Sequence, residues 1–220
     1  MKKNPEKKIR QRAAEIYTRL LASYPDPEPA LDWNNAWELL VSTVLAAQCT
    51  DVRVNKVTPE LFRRWPGPAE LSVAAIEEIE EVIRSTGLFR NKAKNLKAAA
   101  ELVTEEFGGE LPRTMKEMTR LPGVARKTAN IVLSNAMDVH EGVAVDTHVK
   151  RLSFRMGFTT STNPNVIEKD LMPLFPRQNW GIVNHLLVLY GRDVCSARSP
   201  KCTACDVEDI CPKNGIEKKK

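Results

Sequence analysis

Four cysteines near the end of the sequence have a spacing that could hold a metal centre. Cys195, Cys202, Cys205 and Cys211 follow the pattern C-x6-C-x2-C-x5-C, which places four thiols within 17 residues. Structural zinc sites usually combine two short C-x2-4-C pairs with a long spacer, whereas only one short pair occurs here. Four thiolates also suit a cubane iron–sulfur cluster, and the spacing favours this cluster over zinc. Two disulfides are a further alternative, which is disfavoured because the sequence predicts a cytosolic chain and contains only one other cysteine, Cys49.

A second segment, LPGVARKTAN at 121–130, combines a tight turn with a lysine. Its proline and glycine predict a hairpin between two helices. The start of a helix carries partial positive charge, so Lys127 lies in an electrostatically unfavourable place. A hairpin of this kind presents unpaired backbone N–H groups that can bind a phosphate. The alternative is an ordinary connection between two helices.

An aspartate in the segment AVDTHVKRLSFR, at 144–155, follows an apolar run and precedes a predicted helix. Asp146 is therefore suited to the N-cap position of that helix. Together with Lys127 at another helix start, it could instead form half of an active site. The residues alone leave both interpretations open.

The elements that position these residues are predicted to be helices. Apolar residues recur at helical spacing, and strand-like alternation is almost absent, with EGVAVD at 141–146 as the best candidate. Gly87 and the pair Gly108–Gly109 are expected to end two of the helices. We therefore predict an all-α fold. The predicted helices cover residues 6–23, 36–48, 69–87, 91–109, 114–120, 126–137, 147–157, 164–174 and 178–190.

The charge of the chain favours a polyanionic partner without proving one. The 220 residues carry a formal net charge of +5, and the sequence pI is about 9.0. No run of about 18 apolar residues could cross a membrane. The segment MKKNPEKKIRQR has no apolar core behind its charges, unlike a secretory signal. We expect a cytoplasmic protein with one large domain or two small ones.

Several stretches of the sequence together resemble the endonuclease III family. LPGVARKTANIVL, VDTHVKRLSFRMG, LAAQCTDVRVNKVTPELF and the four-cysteine segment occur in the family's order, and the resemblance covers nearly the whole chain. These proteins are DNA-repair glycosylases and abasic-site lyases of the helix-hairpin-helix superfamily. The resemblance implies two helical domains with a DNA-binding cleft between them. One is a six-helix barrel at 28–138, and the other is an iron–sulfur cluster domain formed by 1–27 and 139–220.

The resemblance also implies roles for Lys127 and Asp146, which match the family's catalytic lysine and aspartate. The lysine attacks C1′ of a damaged nucleotide, expels the base and forms a Schiff base, and β-elimination then cuts the strand on the 3′ side. An ordinary lysine is neutral in only about one molecule in 2,500 at pH 7. We expect the helix start, desolvation and neighbouring positive groups to favour the neutral amine. Asp146 is expected to accept a proton and to stabilise the cationic sugar.

Proteins of the family insert a glutamine and a leucine into the duplex when the damaged nucleotide leaves the stack. The matching residues are Gln48 and Leu88, although Leu88 could instead make a hydrophobic contact that closes the Gly87 helix cap. Ala125 departs from the family, whose hairpin commonly has a second glycine at this position, and we expect Ala125 to be helical and unstrained. The other expected DNA contacts come from the hairpin, from the segment after Leu88 and from the cysteine loop: Gly123, Ala125, Arg126, Arg90, Lys92, Arg198 and Lys201.

The resemblance further predicts a 4Fe–4S cluster, held by the four cysteines, as cofactor. The predicted partner is double-stranded DNA that contains oxidised pyrimidines or abasic sites, bound by a nucleoid-associated monomer. Two alternatives remain. Adenine-mismatch glycosylases of the superfamily share the hairpin and the cysteine segment but lack a lysine at the position of Lys127. A helix-hairpin-helix module that only binds DNA would not need the lysine–aspartate pair.

Overall fold

The computed structural model describes residues 5–216 of the chain. Over this range the regular structure is entirely helical and contains no β-strand, which confirms the all-α prediction. The candidate strand at 141–146 is an irregular connection. No helix of the described range is both long and apolar enough to cross a lipid bilayer. In chain order the α-helices are α1 (Pro5–Ser23), α2 (Ala36–Leu45), α3 (Asp51–Arg64), α4 (Pro68–Ser72), α5 (Ile76–Ile83), α6 (Phe89–Phe107), α7 (Met115–Met118), α8 (Arg126–Ala136), α9 (Thr147–Arg155), α10 (Pro164–Leu171) and α11 (Trp180–Asp193).

The chain divides into two compact units. The middle unit comprises residues 29–141 and contains α2 to α8. The terminal unit consists of the chain before and after the middle unit, and it contains α1 and α9 to α11. The hairpin with Lys127 belongs to the middle unit, whereas Asp146 and the four cysteines belong to the terminal unit.

The core of the middle unit surrounds α2. Its sequence AWELLVSTVL is apolar nearly all round, and Leu39, Val41 and Leu45 have no accessible surface. The side chain of Asn35 caps the helix start, because its Oδ1 accepts a hydrogen bond from the backbone N of Glu38 at 2.9 Å. Helices α3, α6 and α8 pack against α2, while α4 and α5 pack against α6. This core fixes the end of α2 and the starts of α6 and α8, from which the candidate site residues project.

Helix α3 is an element that the sequence pattern did not predict. Pro59 lies inside it, and a proline normally disfavours a helix interior because it cannot donate a backbone hydrogen bond. Val54, Val57 and Leu61 nevertheless lie at helical spacing and are buried in the core. The packing of this apolar stripe outweighs the loss of one backbone hydrogen bond.

The predicted helix at 69–87 is wrong, because the chain breaks between α4 and α5 and ends in a 3₁₀ turn, Arg84–Thr86. Two carbonyl oxygens at the break, those of Ser72 and Ala74, accept hydrogen bonds from Nζ of Lys97 on α6, at 2.6 and 2.9 Å. A residue that is distant in sequence thus stabilises the break. The other predicted helices are present, with ends that differ by up to about three residues, as is usual for helix termini.

The core of the terminal unit is built on α11, which packs against α1 and α9. Ile16 and Leu20 of α1 and Tyr190 of α11 are all at most 1% exposed. The irregular connection before α9 is held by Asn184, whose Nδ2 donates a hydrogen bond to Ala144 O at 2.7 Å. This bond satisfies a buried backbone carbonyl just before Asp146.

Candidate nucleic-acid interface and metal centre

The hairpin between α7 and α8 requires a glycine at its tip. Gly123 has φ +80°, a left-handed conformation that side chains disfavour. A Cβ atom there would lie 3.0 Å from the Cβ of Asn95 on α6. Leu121 and Val124 are buried on either side, and Val124 N donates a hydrogen bond to Leu121 O at 3.0 Å. The hairpin is therefore held against α6, while Gly123 itself is exposed.

Lys127 is the second residue of α8 and is exposed. The fold itself therefore does not supply the desolvation of Lys127 that was expected from the sequence. Ala125 is the N-cap, with φ −82° and ψ 165°, so the prediction that it is helical is wrong. An N-cap residue is extended because only its carbonyl belongs to the helix, and alanine adopts this backbone without strain. Since Ala125 supplies no side-chain cap and the first turn has no acidic residue, α8 retains the partial positive charge of its start.

Asp146 is the N-cap of α9. Its Oδ1 accepts a hydrogen bond from Val149 N at 2.7 Å, and its backbone is extended. The residue is half-buried. The capping interpretation of Asp146 is therefore correct. It leaves room for a chemical role, because Oδ2 accepts no hydrogen bond within the described part of the chain.

Gln48 and Leu88 both have left-handed backbones. Their φ angles are 55° and 47°, which is rare for residues that have a side chain. Both residues are exposed, and 57% of the Leu88 surface is accessible. A leucine exposed to this extent does not close the Gly87 helix cap by burying its side chain. Backbone strain of this kind costs about 1–3 kcal/mol per residue and is found mainly at functional sites.

Lys92 lies in the interior of the middle unit, so the prediction that it contacts DNA is wrong. The residue is only 5% exposed, and Nζ donates hydrogen bonds to Leu45 O at 2.7 Å and to Thr86 O at 2.8 Å. Burial lowers the pKa of Lys92 from its ordinary value. The sequence contained the signal for this position, because Lys92 lies at helical spacing from Leu96 and Val103, which form the buried stripe of α6.

Three segments of the middle unit meet at the first turns of α6. Lys92 is bonded to the two segments that carry Gln48 and Leu88. Asn95 lies three residues further along α6, on a neighbouring part of the same face, and contacts Gly123 of the hairpin. The segments that carry Gln48, Leu88 and Gly123 are therefore neighbours around the first turns of α6, where Lys92 itself is buried.

Four of the predicted phosphate contacts, Arg90, Arg126, Arg198 and Lys201, are exposed. The side chain of Arg90 is 79% exposed, and its Nε lies 4.0 Å from Oε2 of Glu80. An exposed ion pair at this distance contributes little, so Arg90 can exchange Glu80 for a phosphate at small cost. Arg198 and Lys201 share the loop between the first two cysteines, where hydrogen bonds to and from Ser196 Oγ order the backbone.

Two buried residues that the sequence pattern did not single out donate hydrogen bonds to the cysteine sulfurs. Arg155 is 8% exposed, and its Nη1 lies 3.3 Å from Cys195 Sγ. The same guanidinium donates to the backbone carbonyls of residues 195–197. The hydroxyl of Tyr190 donates to Cys205 Sγ at 3.2 Å. These contacts shape the cysteine segment from within the terminal unit.

The four cysteines fit an iron–sulfur cluster by the chemistry of their side chains. All five cysteines of the chain lie in the described range as free thiols, so no disulfide joins them there. Burial, together with the neighbouring cysteines, raises the pKa of Cys202 and of Cys211. Within residues 5–216, no three His, Cys, Asp or Glu side chains are close enough to hold a single metal ion. Four cysteine ligands can hold a 4Fe–4S cluster, and hydrogen bonds to the ligand sulfurs, such as those from Arg155 and Tyr190, are among the features that tune such sites.

The sequence is similar to those of known DNA-repair proteins. Residues 41–177 match the family described as HhH-GPD superfamily base excision DNA repair protein. Endonuclease III of Synechocystis sp. is 51% identical over 203 residues, which are 92% of this chain and 93% of that protein. Endonuclease III of Bacillus subtilis is 42% identical over 189 residues, 86% of each chain.

Solved structures of related proteins share the fold. A trapped endonuclease III–DNA covalent intermediate, an estranged-adenine complex, matches with a TM-score of 0.87 and 40% identity over 93% of this chain and 96% of that one. A thermostable thymine-DNA glycosylase matches with a TM-score of 0.80 and 25% identity over 94% of this chain and 96% of that one.

Proposed function

The chain belongs to the endonuclease III family, within the HhH-GPD superfamily of base excision DNA repair proteins, and from this we infer which of its residues perform the reaction. It is a bifunctional DNA glycosylase and abasic-site lyase, and DNA is its partner. We propose that it acts as a monomer on double-stranded DNA that contains oxidised pyrimidines or abasic sites. The middle unit supplies the DNA-binding hairpin, and the terminal unit supplies a cluster-bound loop.

Lys127 provides the nucleophile. Its neutral amine attacks C1′ of the damaged nucleotide, the glycosidic bond breaks, and the base leaves with the bonding electrons and takes up a proton. The lysine nitrogen gives up a proton, and the ring oxygen then leaves C1′ and takes up a proton, which produces a protonated Schiff base on the lysine nitrogen. Loss of a proton from C2′ expels the 3′ phosphate oxygen, so the strand is cut on the 3′ side.

The position of Lys127 is the observation that carries this proposal. The lysine is exposed in the first turn of α8, directly after a hairpin whose glycine has φ +80°. A helix start that retains its partial positive charge can bind the phosphate beside the damaged nucleotide. Such a contact would hold C1′ close to the amine, and proximity of this kind supplies a large part of enzymatic rate enhancement.

Asp146 accepts a proton during the reaction and stabilises positive charge on the sugar. Its bond to Val149 N orients the carboxylate and leaves Oδ2 without a partner among the described residues. A fixed negative charge is more effective in the transition state than a mobile one, because it needs no reorganisation when the sugar becomes cationic.

Gln48 and Leu88 fill the duplex when the damaged nucleotide leaves the stack. Their exposure and their left-handed backbones support this role, because strain at exposed residues is maintained where it serves a function. The nucleotide must leave the stack because C1′ and the glycosidic bond are shielded in duplex DNA. Leu88 contributes an apolar surface, and Gln48 contributes an amide that can hydrogen-bond to a base.

A 4Fe–4S cluster would be held by Cys195, Cys202, Cys205 and Cys211. Four thiolate ligands would leave no open coordination position for water, so the contribution of the cluster would be to hold the loop in place. The loop between the first two cysteines can then present exposed cations to DNA phosphates. Metal analysis tests this assignment, since about four irons per chain are expected, whereas one zinc and no iron would reject it.

Borohydride trapping on abasic DNA tests the proposed function. The wild-type protein should form a covalent complex, and Lys127→Gln should form none while its binding to abasic DNA remains measurable. Lys116→Gln is a matched control, because Lys116 is also an exposed lysine, in the helix on the other side of the hairpin. It should trap as the wild type does. Full trapping by Lys127→Gln would refute the assignment of the nucleophile.

A further inference from the structure

Lys92 joins two segments of backbone that are distant in sequence. Its ammonium donates hydrogen bonds to Leu45 O at 2.7 Å and to Thr86 O at 2.8 Å. Leu45 is the last residue of α2, and Gln48 follows it by three positions. Thr86 ends the 3₁₀ turn before α6, and Leu88 follows it by two positions. One buried side chain thus connects the segments of both residues proposed to enter DNA.

The burial of this ammonium requires an explanation beyond packing. Removing a charged group from water is unfavourable unless its hydrogen bonds are replaced, and an apolar side chain of similar length would fill the same space without that cost. The ammonium does supply donors to two carbonyls. Leu45 O is one of the last carbonyls of α2, which lack a donor within the helix.

Both connected segments have a strained residue within three positions of the contact. Gln48 has φ 55° and Leu88 has φ 47°. Such conformations persist only when the surrounding structure imposes them. A rigid link at Leu45 and Thr86 restricts the backbone just before Gln48 and just before Leu88. It therefore also restricts the directions of the Gln48 and Leu88 side chains.

We propose that Lys92 is a positioning residue that couples the Gln48 and Leu88 segments, so that the two side chains enter the duplex together and distinguish damaged from undamaged sites. This inference rests on the proposed role of Gln48 and Leu88. Lys92 acts through those segments and does not touch the DNA, because it is buried beneath them.

The test compares two lysines of α6. Lys92→Met removes the link. Lys97→Met is the matched control, because Lys97 Nζ also donates to two backbone carbonyls, but those carbonyls lie at the break between α4 and α5. Two rates are measured for each variant: base release from a duplex with a 5,6-dihydrothymine, and strand cleavage at a preformed abasic site, where no damaged base has to be unstacked.

Lys92→Met should slow base release about tenfold to a hundredfold, which is the range expected for misplaced site residues, and should slow strand cleavage much less. Lys97→Met should leave the ratio of the two rates unchanged. If the loss occurs through the Leu88 segment, combining Lys92→Met with Leu88→Ala should slow base release little more than Leu88→Ala alone. Should Lys92→Met fail to fold, Lys92→Gln, whose side chain is polar but shorter than lysine and uncharged, takes its place with the same expected split.

The outcomes separate the two proposals. If Leu88→Ala leaves base release unchanged, the role assigned to Leu88 is wrong. If Leu88→Ala slows base release and Lys92→Met does not, the coupling role of Lys92 is wrong. Equal slowing of base release and strand cleavage in Lys92→Met would also overturn the coupling role, because a general loss of stability affects both rates. The same holds if the double variant slows base release by the product of the two single effects, because Lys92 and Leu88 would then act independently.

Discussion

Replacement of Asp146 by asparagine should separate two roles of one side chain. Oδ1 of Asp146 caps α9 through a 2.7 Å hydrogen bond from Val149 N. Asparagine places an amide oxygen at the same position and is an equally good N-cap, so the cap should be retained. The negative charge is lost, and its interaction with a helix start is worth about 0.3–1 kcal/mol. We therefore expect Asp146→Asn to lower the free energy of unfolding by less than about 1 kcal/mol.

The effect of Asp146→Asn on turnover should be much larger. Loss of a proton acceptor typically reduces the rate by a factor of about 100 or more, which corresponds to about 3 kcal/mol in the activation free energy. A change in stability of less than 1 kcal/mol cannot produce this loss, because nearly all of the protein stays folded. Single-turnover base release from a damaged duplex measures the rate, and denaturant titration measures the stability.

Asn163→Ala provides the matched control for Asp146. Asn163 caps α10 in the same unit, where its Oδ1 accepts a hydrogen bond from Asn165 N at 2.9 Å. Its removal should lower the free energy of unfolding by about 1 kcal/mol and leave turnover unchanged. Asp146→Ala should show both losses. A wild-type single-turnover rate in Asp146→Asn would refute the chemical role and leave Asp146 as an N-cap only.

Three further predictions concern charge, backbone and pH. Lys201→Ala should reduce the slope of log affinity against log salt concentration by about one on damaged and undamaged duplexes alike, because a phosphate contact does not depend on the lesion. Gly123→Ala should lower the free energy of unfolding by about 1–2 kcal/mol and weaken DNA binding, whereas Gly109→Ala, with φ +87° and open space around a Cβ, should affect stability alone. Burial lowers the pKa of His185 to about 4. Between pH 6.5 and 4 the unfolded chain therefore binds a proton at His185 that the folded chain does not bind. The free energy of unfolding should fall by about 3 kcal/mol as the pH falls from 6.5 to below 4. His185→Gln should remove this fall.

Each of these predictions has an outcome that contradicts it. An unchanged salt slope in Lys201→Ala would place that lysine away from the DNA. Equal losses of DNA binding in Gly123→Ala and Gly109→Ala would mean that the hairpin is not a specific contact. A His185→Gln stability profile that runs parallel to the wild-type profile between pH 6.5 and 4 would assign the acid sensitivity to other groups.

Local signals were sufficient to predict the positions of Lys127 and Asp146. Pro122 and Gly123 predicted the hairpin, and the apolar spacing after it predicted α8. The polar residue after the apolar run at 143–145 predicted an N-cap. Turns and caps depend on a few neighbouring residues, so the sequence pattern captures them well.

Two of the lysines of α6, Lys92 and Lys97, show what the sequence pattern could not provide. Lys97 stabilises a break in the chain through carbonyls that lie 25 and 23 residues earlier, and a pattern of apolar spacing contains no information about such partners. Lys92 was predicted to contact DNA because it is basic and follows Leu88, although its spacing from Leu96 placed it on the buried face. The hydrogen bonds from Arg155 and Tyr190 to cysteine sulfur likewise depend on how distant helices pack, so only the three-dimensional structure reveals them.

The division of the terminal unit between two parts of the chain affects how the protein is made. On the ribosome, α1 emerges with Ile16 and Leu20 exposed, and these side chains acquire their partners on α11 only after Tyr24 to Asn179 have been synthesised. At about 5–20 residues per second this wait is on the order of 10–30 s. The middle unit is completed during this time and can fold first. Translation thus exposes the apolar stripe of α1 to aggregation, and a chaperone that shields this helix should raise the yield of folded protein.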